Sequence, residues 1–391
     1  MKCEYLIVGG GVYGCGLAWQ LASRGHDVVV LERDRVASGS SGGPGARGVR
    51  AGGRDPRELP LARRAQELWP SLDGLLDGST GYRRTGGLTL VEQEVVGVRG
   101  GRVSMSARAW VQNRAGVETH VLTAQELREL EPNVSTDVTH AVYCPNDGVA
   151  TQEATTRVLA SAARTVGARI LEEIEVIGMT WDSDRVTTVI TARGPFYPSR
   201  AVVVTANTGS AAVVGRAIPT WRVVPQIIVV RPTQSMSIEH LVGHDSRSLS
   251  LKSGRDGTVQ ISGGWRGRWN DATGCGEVAP AVVSQALDQA VAVYPSLAGA
   301  QVLTVDASRD EACSPDGIPI IDLLPGSTNV YLAANWSAHG FALFPAVVES
   351  LADWLCSGER PEILGPFAFG RFPIASPAQA VGQHSLCPDR K

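Results

Sequence analysis

The sequence predicts an α/β + β chain of two interleaved domains. One is a doubly wound sheet that binds a dinucleotide, and the other is a mainly antiparallel sheet built from two insertions. Three observations predict it. An apolar run, Tyr5 to Val8, ends in Gly9-Gly10-Gly11-Val12-Tyr13-Gly14 and leads into a helix. Glu32 closes the next strand, eighteen residues after Gly14. The middle of the chain then turns strand-rich before a late strand, 329–334, and a late helix, 344–355.

The elements follow in order. Cys15 to Arg24 carries Leu17, Ala18, Leu21 and Ala22 at helical spacing, Gly25 stops it, and Asp27 to Leu31 is a buried strand: β-α-β in about 30 residues. Residues 38–53 read as a loop too rich in glycine for helix or strand, and 57–68 as a helix. Tyr82 to Glu92 reads as strands around a Gly-Gly turn, and Thr123 with Glu126 opens a helix through a capping box. A long amphipathic helix, 152–166, precedes strands at 169–175, 185–192 and 201–206. Residues 222–231, 248–251 and 258–262 are strand-like, and 279–293 is helical. The domains are therefore expected at 1–80, 145–215 and 303–375 for the nucleotide-binding part and at 81–144 and 216–302 for the second, with 376–391 a polar tail.

The glycines have separate tasks. Gly9 permits the tight turn, Gly11 lets the backbone approach a pyrophosphate at a helix N-terminus, and Gly14 lets helix and strand pack closely. Glu32 stands where an acid accepts hydrogen bonds from a ribose diol, and no basic residue replaces it to receive a 2′-phosphate. The motif alone does not separate FAD from NAD.

Composition excludes several classes. A net charge of −3 argues against nucleic-acid binding by a basic surface. Of 36 basic residues only Lys2, Lys252 and Lys391 are lysine, so a Schiff-base role has one plausible candidate, Lys252. Seven scattered cysteines without a CxxC pair speak for a reducing compartment and against zinc or any other metal site. The expectation is a cytoplasmic protein with no export signal and no membrane-spanning run.

Further motifs resemble the D-amino-acid oxidase family of flavoproteins, which includes glycine, sarcosine and dimethylglycine oxidases. They are GSSGGPGARGVR at 39–50, DGVATQEATTRVLASAARTVGARI at 147–170, SPDGIPIID at 314–322 and YLAANWSAHGFALFPA at 331–346, in order along the chain. The resemblance implies a Rossmann-like FAD-binding domain and noncovalent FAD, since Arg309 and Gly43 stand where relatives with a covalent flavin carry Cys or His, although Cys313 lies four residues on. It places Gly9, Gly11, Val12, Tyr13, Gly14, Glu32 and Arg33 on the ADP half and Val176 at the adenine end. Ser40, Ser41, Arg47 and Gly48 would lie along the flavin. The loop His339-Gly340-Phe341-Ala342 would approach its pyrimidine edge, with backbone amides facing N1 and O2.

The implied reaction is oxidation of an amine or amino-acid C–N bond, by hydride transfer to flavin N5, to an imine, with O2 as acceptor and H2O2 as product. Arg47, Glu311 and His339 are the catalytic candidates, and Arg50, Arg309, Gln260 and Trp265 the substrate-binding ones. Trp265, Arg266, Trp269, Tyr82 and Trp221 could form an aromatic wall suited to a cation. Two departures bear on substrate. Glu311 replaces the arginine or tyrosine that relatives place five residues before the Asp of the P-D-G segment, and Ala342 replaces a lysine. Either Arg309, Arg50 or Arg47 holds a carboxylate from another direction, or the substrate lacks one and Glu311 pairs with its ammonium; the missing groups favour the second. A third departure bears on oxygen. Gln260 matches the place of an oxygen-activating lysine, with Lys252 on the preceding strand, which leaves open a slow oxidase or a dehydrogenase with another acceptor. An NAD-linked dehydrogenase, a flavin monooxygenase and a non-enzymatic flavin sensor are the rivals. The oligomeric state stays open.

Overall fold

The computed structural model describes residues 1–41, 43, 45–94 and 103–372; the expected tail lies outside them. Strand β1 (Lys2–Val8), helix α1 (Val12–Ala22) and strand β2 (Val28–Leu31) open the chain. β1 lies at the centre of a parallel sheet, between β2 and the long strand Gly194–Val204. Arg169–Leu171 extends the sheet beyond β2, and Val330–Ala334 with Ile320–Leu323 extends it on the other side.

The central strands are apolar along their whole length because both faces are covered. On one face pack α1, Gln152–Thr165 and Gly340–Ser357. On the other lies a hairpin, Val176–Asp182 with Arg185–Thr191. The strand Gly194–Val204 serves both layers. Its first half pairs antiparallel with that hairpin and its second half runs parallel to β1.

The second sheet joins eight strands in the order Gln301–Asp306, Ile227–Arg231, Val259–Ser262, Ser250–Ser253, Leu241–His244, Gly87–Val91, His140–Cys144 and His120–Thr123. Its pairs are antiparallel except Leu241–His244 with Gly87–Val91. Alternation sets its two faces. Leu251, Val259 and Ile261 enter a core shared with helix Pro280–Val293, while Lys252, Gln260 and Ser262 face a cavity between the two sheets. Lys252 pairs directly across from Gln260, and Ser250 across from Ser262.

Several expectations are corrected. Gln301–Asp306 belongs to the second sheet, so the expected boundary at 302/303 falls inside a strand. The loop at 38–53 contains a strand, Ala46–Val49, paired with Gly148–Thr151. A distant partner makes this strand despite Gly48, whose missing side chain leaves room for Leu241. Only Gly87–Val91 of residues 82–92 is a strand, with Gly86 held at φ +72 before it. The strand read at 222–231 breaks at Pro225, which has no N–H to give a ladder, into Trp221–Val223 and Ile227–Arg231. The strand read at 169–175 ends at Leu171. The last long helix starts at Gly340, so residues 340–342 are helical rather than loop. By length and composition this helix could cross a membrane, contrary to the sequence reading, but 72% of it is buried in the core. The capping box of Thr123 and Glu126 forms as expected.

Candidate active site

A cavity of about 1860 Å³ runs from the end of β1 to the polar face of the second sheet. That exceeds the ~300–1,000 Å³ of an ordinary small-ligand pocket and suits a dinucleotide plus a substrate.

The first end is built by backbone. Gly9 sits at φ +112, and a Cβ there would meet the carbonyl oxygen of Thr205 at 2.9 Å. A Cβ at Gly14 would lie 1.9 Å from the Gly9 carbonyl oxygen, so β1 and α1 approach as only glycine allows. Gly11 differs: nothing lies within 4 Å of its missing side chain, and this open side faces the cavity. It caps α1 without any side-chain hydrogen bond, and the first turn has no acidic residue. The helix thus offers unsatisfied amides to an anion. Glu32 leans over the loop, accepting the Gly10 N–H at 2.6 Å and the Asp34 N–H at 2.9 Å. Val12, Tyr13, Arg33 and Val176 also line the cavity.

The other end is assembled from distant segments. Ser40, Ser41, Arg47 and Gly48 line the wall. Ser41 Oγ donates to Glu311 Oε2 at 2.6 Å, and the Ala338 N–H makes a long 3.5 Å contact to Glu311 Oε1. Burial pushes the Glu311 carboxyl above its ordinary value. Arg47 donates to the carbonyls of Ser41 (3.0 Å), Ala46 (3.3 Å) and Gly43. Burial lowers it to about 10, against the pull of Asp306 and Glu311.

A strained turn follows the strand Val330–Ala334. Asn335, Ser337 and Ala338 hold φ of 61, 52 and 63, a left-handed region that non-glycine residues adopt at a cost of ~1–3 kcal/mol each. Tertiary contacts hold it there: Asn335 Nδ2 donates to Pro219 O, and the Ser337 N–H to Ala312 O. The turn delivers His339 and Gly340 to the cavity wall. Trp336 stacks on Tyr13 with ring centroids 3.6 Å apart, and Tyr13 OH donates to Gly340 O at 2.5 Å. The first glycine motif and the late turn are thereby joined.

Arg50, Arg54, Lys252 and Arg309 are among the basic residues that line the cavity. Arg54 donates to Arg50 O at 2.6 Å and to His339 O at 3.1 Å. It also lies 3.6 Å from the buried Glu58 carboxylate. The side chains of Arg50 and Arg309 have no hydrogen bond or ion pair among the described residues. Lys252 is 5% exposed and donates to Ser262 Oγ at 3.2 Å, with no carboxylate partner among the described residues. Burial, with Arg47 and Arg50 nearby, lowers it to about 7. His339 opens onto the cavity, yet protein is packed densely behind it; that burial and the guanidiniums of Arg54 and Arg50 hold the ring well below its ordinary value, hence neutral.

The structure places most of the predicted site residues on this cavity, including Gln260, Trp265, Gly340 and Phe341, and withdraws others. Ala342 turns into the core, its carbonyl accepting the Trp69 Nε1–H at 2.8 Å. Gly14 makes its contribution through packing and does not line the wall. Tyr82 leaves the expected aromatic wall to stack on Trp69. Arg47 and Glu311 lose part of their catalytic case: Arg47 clamps the loop, and both Glu311 oxygens are engaged by Ser41 and Ala338. The sequence reading missed Arg54 and Asp147. Buried Asp147 accepts the Ala51 N–H, the Gly52 N–H and Gln66 Nε2, so it fixes the backbone behind Arg50. The Asp147-Gly148 pair inside the motif at 147–170 was the available signal.

The residues present fit FAD. The open Gly11 amide end, Glu32 and Val176 would hold its ADP half, and Ser40, Ser41, Gly48 and the 339–341 backbone its ring. Buried polar atoms of Asn207, Gln260 and Trp265 on the wall lack partners among the described residues, as a site completed by a ligand requires. Burial raises the Cys313 thiol on the wall to about 11, leaving it protonated and a poor nucleophile for covalent attachment.

A β-α-β dinucleotide loop opening onto a cavity roofed by a second sheet defines a two-lobed, dinucleotide-dependent oxidoreductase. The chain belongs to the FAD dependent oxidoreductase family, whose model matches residues 4–354. It is 27% identical to the sarcosine oxidase subunit beta of Arthrobacter sp, over 94% of this chain and 91% of the relative. It is 26% identical to the glycine oxidase of Geobacillus kaustophilus, over 95% and 97%. Among solved structures, the L-proline dehydrogenase of P. horikoshii shares the fold with a TM-score of 0.84 at 24% identity, covering 95% of this chain and 97% of that one. The protein is an FAD-dependent flavoenzyme, and the NAD-linked alternative falls away.

Proposed function

We propose that this FAD-dependent oxidoreductase oxidises the C–N bond of a small amine that carries a carboxylate. One observation carries the reading. Arg50 presents a guanidinium to the cavity with no acceptor among the described residues, while both Glu311 oxygens already have donors. A half-buried guanidinium without an acceptor favours the arrival of an anion, and a carboxylate matches its fork. The sequence-level preference for a substrate without a carboxylate is thereby reversed. Relatives that are a glycine oxidase and a sarcosine oxidase subunit support the same class.

FAD, when bound, supplies the two-electron oxidation. The protein's residues bind and orient. Arg50 fixes the carboxylate, the neutral His339 adds no competing charge, and a desolvated site favours the neutral amine that reacts. Oxygen is the proposed acceptor, giving H2O2. The lysine absent at Gln260 has a counterpart directly across the strand pair, where Lys252 can favour negative charge developing on O2.

The test is a panel of amines scored by anaerobic bleaching of the flavin. Amino acids bleach it, and Arg50→Met lowers kcat/KM for them by about 10- to 100-fold, the worth of a charged hydrogen bond, with flavin content unchanged. Faster bleaching by amines without a carboxylate, or an Arg50→Met enzyme with unaltered kinetics, overturns the reading.

A further inference from the structure

Away from the cavity, three side chains from three segments meet at the surface. Cys356 stands in the last turn of the helix Gly340–Ser357 and is exposed. Its Sγ lies 3.3 Å from His26 Nε2, on the turn between α1 and β2. The other ring nitrogen, His26 Nδ1, lies 3.2 Å from Glu4 Oε2 on β1. Glu4 is itself fixed: the Asp27 N–H donates to Oε2 at 3.0 Å, and Arg200 Nε lies 3.4 Å from Oε1. These contacts, the Asp27 N–H first, hold its carboxyl below the ordinary value, so it is an anion. Tyr5 packs edge-on to the His26 ring with centroids 5.1 Å apart, and its OH donates to Leu355 O at 2.9 Å. The imidazole is therefore held in place from two sides.

The order thiol, imidazole, carboxylate through opposite ring nitrogens is the arrangement that activates a nucleophile: a base within hydrogen-bond reach, oriented by a third group. Glu4 accepting from Nδ1–H leaves Nε2 as the acceptor for the thiol proton. The carbonyl end of the helix opposes a thiolate, so the imidazolium is what stabilises it. The flavin chemistry uses none of these residues.

We infer that Cys356 is a reactive surface thiol, activated by His26 and Glu4, and a site of modification by small-molecule disulfides. The Sγ–H proton passes to His26 Nε2. The thiolate attacks one sulfur of the disulfide, whose S–S bond breaks as a new one forms to Cys356. The other half leaves as a thiolate and takes the proton back from His26. One disulfide replaces another, and no further oxidant or reductant is consumed.

The exposed Cys275 is the internal comparator: it has no imidazole partner among the described residues. The flavin-loaded protein is exposed to oxidised glutathione, and separately to limiting iodoacetamide, near pH ~6.5, where an ordinary thiol is almost wholly protonated. Adducts are quantified for each cysteine by peptide mass spectrometry. Cys356 reacts on the order of tenfold faster than Cys275, as expected for a thiol with a base within hydrogen-bond reach of its proton. His26→Gln brings the two rates within about threefold, and Glu4→Gln gives an intermediate ratio. Retained flavin absorbance shows that each variant is folded. Equal rates at the two cysteines in the unmodified sequence, or a ratio untouched by His26→Gln, refutes the inference.

Discussion

The two ends of the cavity are made differently. The ADP end is local: Gly9, Gly11, Gly14 and Glu32 lie within 24 consecutive residues, and most of their work is done by backbone. The substrate end is assembled. Ser41 meets Glu311 across 270 residues of sequence, and Arg50, Lys252 and Gln260 converge from a loop and two strands of another sheet. At Gly9 and Gly14 the backbone leaves no room for a side chain. The assembled wall can change residue by residue, and the departures that line it are glutamate at 311 and glutamine at 260.

The largest expected effect tests the rigid end. Gly14→Ala would put a Cβ 1.9 Å from a backbone oxygen that cannot move without opening the β1–α1 packing. The variant is expected to purify without flavin, read as loss of absorbance near ~450 nm relative to protein. A fully loaded Gly14→Ala enzyme would break the contrast.

An intermediate effect tests the assembled wall. Lys252 is lowered to about 7 by burial and by Arg47 and Arg50, so it is a cation below that pH and neutral above it. A carboxylate inhibitor should bind several-fold more weakly as pH rises through about 7, because the wall loses one positive charge. Lys252→Met should flatten that dependence and slow H2O2 formation, both measured on the loaded enzyme. An inhibitor profile that keeps its inflection in Lys252→Met assigns the titration elsewhere.

The smallest effect sharpens the place of Glu311. Glu311→Gln retains an acceptor for Ser41 Oγ, so turnover should change by less than about tenfold, and equally for amino acids and diamines. A selective loss of diamine turnover would restore Glu311 as a partner for a substrate ammonium.

Much of the architecture was legible. The β-α-β start follows from an apolar run, three glycines and a timed acid. The late motif at 331–346 pointed to the wall that Trp336, His339 and Gly340 do build. The failures share a cause. The strand Ala46–Val49 is invisible in a Gly-Ser-Arg stretch because Gly148–Thr151 makes it a strand from outside. Ala342 counted as a loop residue because the helix begins where His339 follows a left-handed turn, and three non-glycine residues in that conformation cannot be foreseen from residue preferences. Lys252 was noticed for its rarity and for lying on the strand before Gln260; its strand register, not its neighbours in sequence, turns it into the cavity directly across from Gln260.

By itself, then, the amino-acid order determined the nucleotide end, because steric limits on φ and the orphan amides of a helix start act between neighbours in the chain. Which charges meet the substrate was decided only by tertiary structure. Coulombic and hydrogen-bonding partners act over a few ångströms of space, and here those ångströms join segments hundreds of residues apart.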